Sequence, residues 1–274
     1  MKAIETIKNF FGLIKIPFIK SIGVKELYQS SSFKEACTRL EIALETEDLA
    51  LLTGEVGAGK SNVIRFFTHN LDPHDYKIIY IPADKDMKAG ELAKQALEKL
   101  KMEVPYSSSL AIRRLKNSII QLNQDKGIKP ILIIDEAHEL PLKTFLYLKN
   151  LINYRMDSVN YLFTILCGQK DLPELLDKYP LESLNRRIRV RYELGALTLE
   201  ETSLYISHQL KICGLDRNIF SDETKAQIYN HTKGIIGKIN GICYNLIMHA
   251  ASQSKDIIEP SMLEAVLKSY SKGQ

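Results

Sequence analysis

Residues 54–61 have the types and spacing that bind a chain of phosphates. They read Gly-Glu-Val-Gly-Ala-Gly-Lys-Ser, the complete pattern G-x-x-x-x-G-K-[ST]. Glycines let backbone N–H groups turn toward phosphate oxygens, and the N-terminus of a following helix adds partial positive charge. In such a loop Lys60 reaches the β- and γ-phosphates, and the Ser61 hydroxyl binds Mg²⁺. The predicted ATP-binding residues are Gly54, Glu55, Val56, Gly57, Ala58, Gly59, Lys60, Ser61 and Asn62.

The segments on either side of this loop are of the kinds that the motif requires. The apolar run at 49–53 predicts a short strand, and residues 62–67 can open a helix. A chance glycine-rich turn would need neither neighbour. The order of strand, loop and helix therefore favours a phosphate loop.

A second apolar run, at 130–134, is followed by two acidic residues. Its continuous apolar character is typical of a strand buried on both faces of a parallel sheet, and such sheets place their ligands at the carboxyl ends of strands. Asp135 can hold the magnesium ion through water, and Glu136 can polarise the attacking water. The two acids could instead cap a helix. Their distance downstream of the phosphate loop favours the catalytic interpretation.

Strand-like and helical segments alternate through most of the chain, and only helices follow. Apolar runs at 49–53, 77–82, 130–134, 161–167 and 189–194 predict strands, and helices are predicted at 33–45, 90–101, 110–123 and 142–156. This alternation indicates an α/β fold, a three-layer α/β/α sandwich with a parallel sheet. Thr198 and Glu201 form a capping-box pattern that opens the later helices. The predicted domains are an N-terminal extension (1–32), an α/β core (33–196) and a C-terminal helical lid (197–274).

Composition limits the classes of protein to which this chain can belong. In 274 residues no apolar run approaches the length of a membrane span, and the N-terminus lacks the apolar core of a signal peptide. Four scattered cysteines without C-x-x-C spacing indicate reduced thiols, so we expect a cytoplasmic protein without contact with a membrane. The formal charge of +4 permits contact with nucleic acid but does not require it.

A phosphate-loop core followed by a helical region resembles the AAA+ ATPases, and the resemblance extends over about residues 10–270. Two branches are similar. Residues 10–13, 17–18, 52–57 and 184–188 resemble ExeA-type (general secretion pathway protein A) ATPases, whereas 234–239 resemble the lid motif of the transposition ATPases TnsC and TniB. ExeA-type proteins usually carry an arginine where this chain has Gly237. Lys238 is the nearest cation that could act as the second sensor of nucleotide.

The resemblance also implies roles for residues outside the phosphate loop. Gln169 occupies the position of the polar sensor, although it could simply be a solvated side chain at a strand end. Arg187, or alternatively Arg186, lies where these ATPases present an arginine finger to a neighbouring subunit. A guanidinium suits that task because it stays charged and binds phosphate oxygens bidentately. The arginines of 186–191 could also be solvated or contact DNA. Pro17 and Phe18 could wall the adenine pocket or anchor the N-terminal segment.

In transposition ATPases, the segments after the second strand contact the backbone of DNA. The corresponding residues here are Lys85, Lys88, Ser108, Arg113 and Arg114. Contacts of this kind give affinity without sequence preference. The alternative is an ordinary solvated surface, because acidic residues are interspersed with the basic ones.

Three functions stay open at this stage. The leading prediction is an ATP-dependent regulator of transposition that oligomerises on double-stranded DNA as a ring or helical filament and recruits or activates a transposase. A second is an ExeA-like ATPase that assists assembly of a secretion apparatus. Such proteins normally continue into a membrane segment and a peptidoglycan-binding region, and neither occurs before Gln274. A third is a nucleotide-controlled binding switch, against which the intact Glu136 argues.

Overall fold

The computed structural model describes residues 2–46, 49–154 and 159–270. Its strands are β1 (Leu49–Gly54), β2 (Tyr76–Pro82), β3 (Lys129–Asp135), β4 (Phe163–Gly168) and β5 (Ile188–Leu194). Its α-helices are α1 (Lys2–Phe11), α2 (Ser31–Glu45), α3 (Lys60–His69), α4 (Ala89–Lys99), α5 (Ser108–Lys126), α6 (Leu142–Leu151), α7 (Leu172–Leu176), α8 (Glu182–Asn185), α9 (Leu199–Lys211), α10 (Asp222–Thr232), α11 (Ile236–Ser252) and α12 (Pro260–Tyr270).

The described strands form one five-stranded parallel sheet in the order β2-β3-β4-β1-β5. β4 lies between β1 and β3, and the register pairs Thr53 with Gly168 and Ile134 with Leu166. Because parallel strands end at the same edge of a sheet, the ends of β1, β3 and β4 lie side by side. The fold thus brings the start of the phosphate loop, the two acids and Gln169 to one edge.

Helices cover both faces of this sheet. Alternate residues of β2 and β3, among them Ile79 and Ile134, pack into an apolar core with residues of α4, α5 and α6 such as Leu115 and Phe145. Ile133 points to the opposite face, where it lines a cavity together with residues of α3. The predicted three-layer α/β/α architecture with a parallel sheet is confirmed.

The predicted strands match the observed ones closely, whereas several helices differ from the prediction. Each strand begins and ends within two residues of its predicted limits. The helix expected at 142–156 ends at Leu151, and residues 155 and 156 lie outside the described part of the chain. Helix α1 and the short helices α7 and α8 have no counterpart in the sequence prediction.

The chain divides into two compact units. The α/β unit comprises Phe33–Gly54 and Lys60–Leu194, and the helical unit comprises Met1–Ser32, Glu55–Gly59 and Gly195–Gln274. Although residues 1–32 were expected to form a separate extension, Ile7 and Phe11 of α1 lie in the apolar core of the helical unit. The division into three domains stays a prediction.

Local signals account for the helices of the helical unit. Thr198 accepts a hydrogen bond from the Glu201 N–H, and the Glu201 carboxylate accepts one from the Thr198 N–H, each at 3.1 Å. This is the predicted capping box at the start of α9. Phe18 is buried, and its ring centroid lies 6.1 Å from that of Phe220, as expected for an apolar anchor. In the described residues, no helix combines the length and apolar character needed to cross a membrane.

Candidate nucleotide-binding site

The phosphate loop has the backbone conformation that its glycines permit. Gly57 has φ +82° and Gly59 has φ +109°, values that residues with a side chain rarely adopt. The Ala58 N–H donates to the Glu55 carbonyl at 3.1 Å, which closes a tight turn. Helix α3 begins directly after this turn, so its unpaired N–H groups follow the loop. This arrangement fits a phosphate group.

Lys60 and Ser61 open helix α3. Lys60 is buried, and its ammonium group donates a hydrogen bond of 2.9 Å to the Gly54 carbonyl. The side chain therefore folds back under the loop and keeps its charge at the end of β1. Ser61 is exposed, so its hydroxyl is available to a ligand.

The carboxylate that the sequence assigns to magnesium lies at the end of β3. Asp135 is only 7% exposed, yet it accepts the Tyr80 hydroxyl proton at 2.6 Å and the Glu136 N–H at 3.0 Å. A charged group at this depth requires such donors. Burial, together with the nearby charge of this carboxylate, raises the pKa of the Cys167 thiol. The two hydrogen bonds hold the Asp135 carboxylate in a fixed orientation. Carboxylate oxygens are ligands that Mg²⁺ accepts, as is the hydroxyl of Ser61.

Glu136 has a strained backbone at a predicted catalytic position. Its φ and ψ are 52° and 39°, in the left-handed region, which costs about 1–3 kcal/mol for residues with a side chain. The side chain is about half exposed, and its Oε2 atom lies 3.5 Å from Nδ1 of His138. The residue can therefore meet a water molecule in a solvated part of the site.

Tyr80 was not identified from the sequence. It stands on β2 opposite Ile133 of β3, and its hydroxyl reaches Asp135 at the next position on the same face. Burial raises the pKa of the phenol, and the hydrogen bond and charge of Asp135 raise it further. The hydroxyl thus stays protonated and acts as a donor. Finding it would have required the register of β2 against β3.

Gln169 follows the last residue of β4 and is half-buried. Its backbone N–H points to Nδ1 of His138 at 3.5 Å. A Cβ placed on the preceding residue, Gly168, would lie 3.3 Å from the same nitrogen. His138 therefore packs against the end of β4 while it also approaches Glu136. The side-chain role of Gln169 as a sensor stays a prediction.

The arginines before β5 have different surroundings. Arg186 is exposed and pairs with Glu182, one helical turn earlier, whereas Arg187 is half-buried. Arg191 donates to the carbonyl oxygens of Asn185 and Ile188 at 2.9 and 3.2 Å, so it supports the turn into β5. These contacts leave the choice of Arg187 as the finger a prediction.

Lys238 is exposed in the first turn of α11. The neighbouring Gly237 contacts the phosphate loop through its backbone. The sequence placed Lys238 at the second sensor, and that role stays a prediction.

The predicted DNA-contacting residues fall into two groups within the α/β unit. Lys88 precedes α4 and Ser108 begins α5, and the two helices touch at their starts, because a Cβ on Gly90 would lie 2.3 Å from that of Ser108. Arg113 and Arg114 lie farther along α5, in an open groove of about 690 Å³. The residues with an acidic partner in these groups are Lys85 (Glu139, 3.5 Å) and Arg114 (Glu103, 3.0 Å).

Comparison with known proteins shows what this chain is similar to. Residues 43–176 match the family model described as AAA domain. General secretion pathway protein A of Aeromonas hydrophila is 30% identical over 246 residues, which are 88% of this chain and 44% of that protein. These two findings support an AAA+ ATPase domain in this chain. The chain spans less than half the length of this curated relative.

The AAA+ ATPase fold recurs in solved structures. Cdc6p of Pyrobaculum aerophilum has a TM-score of 0.72 at 15% identity, with 92% of this chain and 70% of that chain covered. Aeropyrum pernix ORC1, solved in complex with DNA, has a TM-score of 0.68 at 14% identity, with 92% and 68% covered. The Holliday junction branch migration motor RuvB of Thermotoga maritima has a TM-score of 0.60 at 17% identity, with 88% and 69% covered. At these identities the likeness shows the P-loop NTPase fold alone.

Family and fold support ATP hydrolysis as the activity of this AAA+ ATPase domain. Bound ATP with Mg²⁺ would supply the phosphoryl group and neutralise the charge that develops on it. Lys60 would stabilise the same charge, while Ser61 and Asp135 would hold the metal. Glu136 would orient the attacking water and accept its proton. The residues would therefore act by positioning and by electrostatics, without a covalent intermediate.

Proposed function

We propose that this chain is an ATP-dependent regulator of DNA transposition, which oligomerises on double-stranded DNA and recruits or activates a transposase. The observation that carries the proposal is the grouping of cations and hydroxyls at the starts of α4 and α5. Gly90 at the start of α4 packs against Ser108 at the start of α5, Lys88 directly precedes α4, and the Lys85 side chain is 83% exposed. Exposed lysines and a hydroxyl at helix starts suit the phosphates of a DNA backbone.

The groove along α5 extends this interaction surface. Arg113 and Arg114 face the groove, and Ser108 lies five residues earlier, about 7.5 Å along the helix axis. Phosphates of one DNA strand follow each other about every 3.4 Å along the duplex axis, so this separation spans about two phosphate steps. Glu103 pairs with Arg114, so DNA would have to compete with a carboxylate for that arginine.

Two of the similar solved structures are of proteins connected with DNA. ORC1 was solved in complex with DNA, and RuvB is a Holliday junction branch migration motor. These two structures support a DNA-directed use of ATP by this chain, because proteins of the same fold are connected with DNA.

Self-assembly is part of the proposal. Arg187 would reach the nucleotide of a neighbouring copy, since a guanidinium can bind phosphate bidentately. ATP bound between copies would then favour a ring or a helical filament. Mg²⁺ and ATP are the proposed cofactors, and the cytoplasm is the proposed location.

The proposal is tested by ATP turnover with and without duplex DNA, together with electron microscopy in a non-hydrolysable ATP analogue. We expect DNA to stimulate turnover and the analogue to produce rings or filaments around the duplex. Purified transposase from the same genetic locus should bind the assembled complex but not the free chain. Monomers on DNA and turnover that ignores DNA would contradict the proposal.

A secretion-related function is the second candidate, and the identity with general secretion pathway protein A favours it. In that case the chain would assist assembly of a secretion apparatus at the cell envelope. Cell fractionation separates the two candidates, because this function predicts association with the envelope and turnover that does not respond to DNA. A third outcome, nucleotide binding without any turnover, would indicate a nucleotide-controlled switch.

A further inference from the structure

We propose that Tyr80 is a positioning residue for the metal-binding carboxylate of Asp135. The inference rests on the proposed assignment of Asp135 to the magnesium ion. Tyr80 does not touch the reacting atoms in this proposal. It sets the orientation in which the carboxylate meets the metal or its water ligands.

The geometry of the sheet explains why a tyrosine occupies this position. Pro82 is the register partner of Asp135, and Tyr80 is two residues earlier on the same face of β2. The hydroxyl must therefore span a diagonal of one two-residue step, about 6.6 Å along the strand. A serine or threonine hydroxyl is too short for that reach, whereas the Tyr80 hydroxyl arrives at 2.6 Å from Oδ2.

The solvent exposure of Tyr80 and that of Asp135 indicate which of the two residues depends on this hydrogen bond. Tyr80 is 38% exposed, so water could satisfy its hydroxyl, whereas Asp135 is 7% exposed. Asp135 receives the Glu136 backbone N–H on Oδ1. Tyr80 thus supplies a strong side-chain donor to Oδ2. The remaining lone pairs of the carboxylate then have fixed directions toward a ligand.

Ser61 lies on the same side of the sheet. Ser61 and Tyr80 both line a largely apolar cavity of about 340 Å³, together with Ile78 of β2 and Ile133 of β3. Tyr80 therefore lines the same cavity as Ser61 while its hydroxyl contacts Asp135, the other predicted metal-binding residue.

Magnesium requires near-ideal octahedral geometry, so it is sensitive to the orientation of each carboxylate that supports it. Loss of a hydrogen bond that orients a metal ligand typically lowers metal affinity 10- to 100-fold. The proposal therefore predicts that Tyr80 matters for the nucleotide only when Mg²⁺ is present. A role in packing would weaken nucleotide binding equally with and without the metal.

The experiment is a Mg²⁺ titration of nucleotide binding by the full chain, read by a fluorescent ADP analogue, with a parallel measurement in EDTA. For Tyr80→Phe we expect the half-saturating Mg²⁺ concentration to rise about tenfold while the affinity in EDTA stays at the wild-type value. Tyr76→Phe is the matched control, because it removes a phenol from the same strand and the same face. It should leave both quantities unchanged.

Two further variants separate the possible failures. Tyr80→Leu should show the same Mg²⁺ shift as Tyr80→Phe, since the hydroxyl is the proposed cause. A shift in Tyr80→Leu alone would assign the effect to the ring and overturn the inference. Asp135→Asn should raise the Mg²⁺ requirement at least as much. If Asp135→Asn does so and Tyr80→Phe does not, the role of Tyr80 is wrong, and if Asp135→Asn has no effect, the metal assignment itself is wrong.

Discussion

The backbone N–H of Gly237 donates a hydrogen bond of 2.9 Å to the carbonyl oxygen of Gly57. A Cβ placed on Gly237 would lie 3.1 Å from Cα of Gly57, and one placed on Gly57 would lie 3.3 Å from Cα of Gly237. Backbone atoms in the first turn of α11 thus contact the phosphate loop. A side chain at position 237 would therefore press on the phosphate loop. This is also the position at which ExeA-type proteins usually carry an arginine.

Gly237→Arg introduces the arginine that ExeA-type ATPases usually carry at this position. We expect it to weaken ATP binding about tenfold instead of restoring a sensor, because the new Cβ must displace the backbone of Gly57. Titration with a fluorescent ATP analogue measures the effect. Lys238→Arg, at the exposed next position, keeps the backbone contact and should bind normally. Tighter binding by Gly237→Arg would show that the loop accepts a side chain there.

Lys60→Ala should weaken ATP binding about 10- to 100-fold, the loss expected when a charged hydrogen-bond donor is removed. Its ammonium group lies 2.9 Å from the Gly54 carbonyl, at the start of the loop. Isothermal titration calorimetry measures the affinity, and circular dichroism checks that the variant folds. Lys143→Ala, an exposed lysine on α6, removes the same charge elsewhere and serves as control. Wild-type affinity in folded Lys60→Ala would contradict the phosphate-loop assignment.

Glu136→Gln should bind ATP normally and hydrolyse it at least about 100-fold more slowly, because the amide cannot accept a proton from water. Any DNA-bound oligomer should persist longer in this variant. Phosphate release in a coupled assay gives the rate. Glu139→Gln is a close control, since Glu139 also lies 3.5 Å from a ring nitrogen of His138. Brisk turnover by Glu136→Gln would assign the water-activating role to another residue.

The sheet and the phosphate loop were predictable because their signals are local. A continuous apolar run such as 130–134 indicates a buried strand wherever its partners lie, and the octet at 54–61 carries its own backbone geometry. The sequence prediction lacks helix α1. Its buried Ile7 and Phe11 acquire a meaning only with the apolar core that receives them.

The contacts that the sequence could not reveal join residues that are distant along the chain. Tyr80 reaches Asp135 because β2 and β3 pair in one particular register, which no pattern within either strand specifies. From the sequence, Gly237 is notable only because ExeA-type proteins usually carry an arginine at that position. Its approach to Gly57 depends on how α11 packs in the helical unit, which is a tertiary property.

Arg187→Ala should lower ATP turnover of the assembled protein about 100-fold or more while ATP affinity of the monomer stays unchanged, as expected for a finger supplied to a neighbour. Turnover must be measured as a function of protein concentration, because the finger acts only between copies. Arg186→Ala is the paired variant. Its side chain already pairs with Glu182, so it should have little effect. The opposite result would assign the finger to Arg186.

Replacing Lys85 and Lys88 together by alanine should weaken DNA binding at all sequences and flatten its dependence on salt. The slope of log K against log [salt] is negative, and each lost phosphate contact reduces its magnitude by about 0.9. The loss of two contacts therefore predicts a slope that is shallower by about 1.8. Fluorescence anisotropy with labelled duplex DNA at several salt concentrations gives the slope. Lys211→Ala with Lys255→Ala makes the same charge change at exposed sites of the helical unit and should leave the slope unaltered. The slope could stay unchanged in the Lys85 and Lys88 variant and become shallower when Arg113 and Arg114 are replaced. That result would place the DNA contact in the groove along α5 instead of at the starts of α4 and α5.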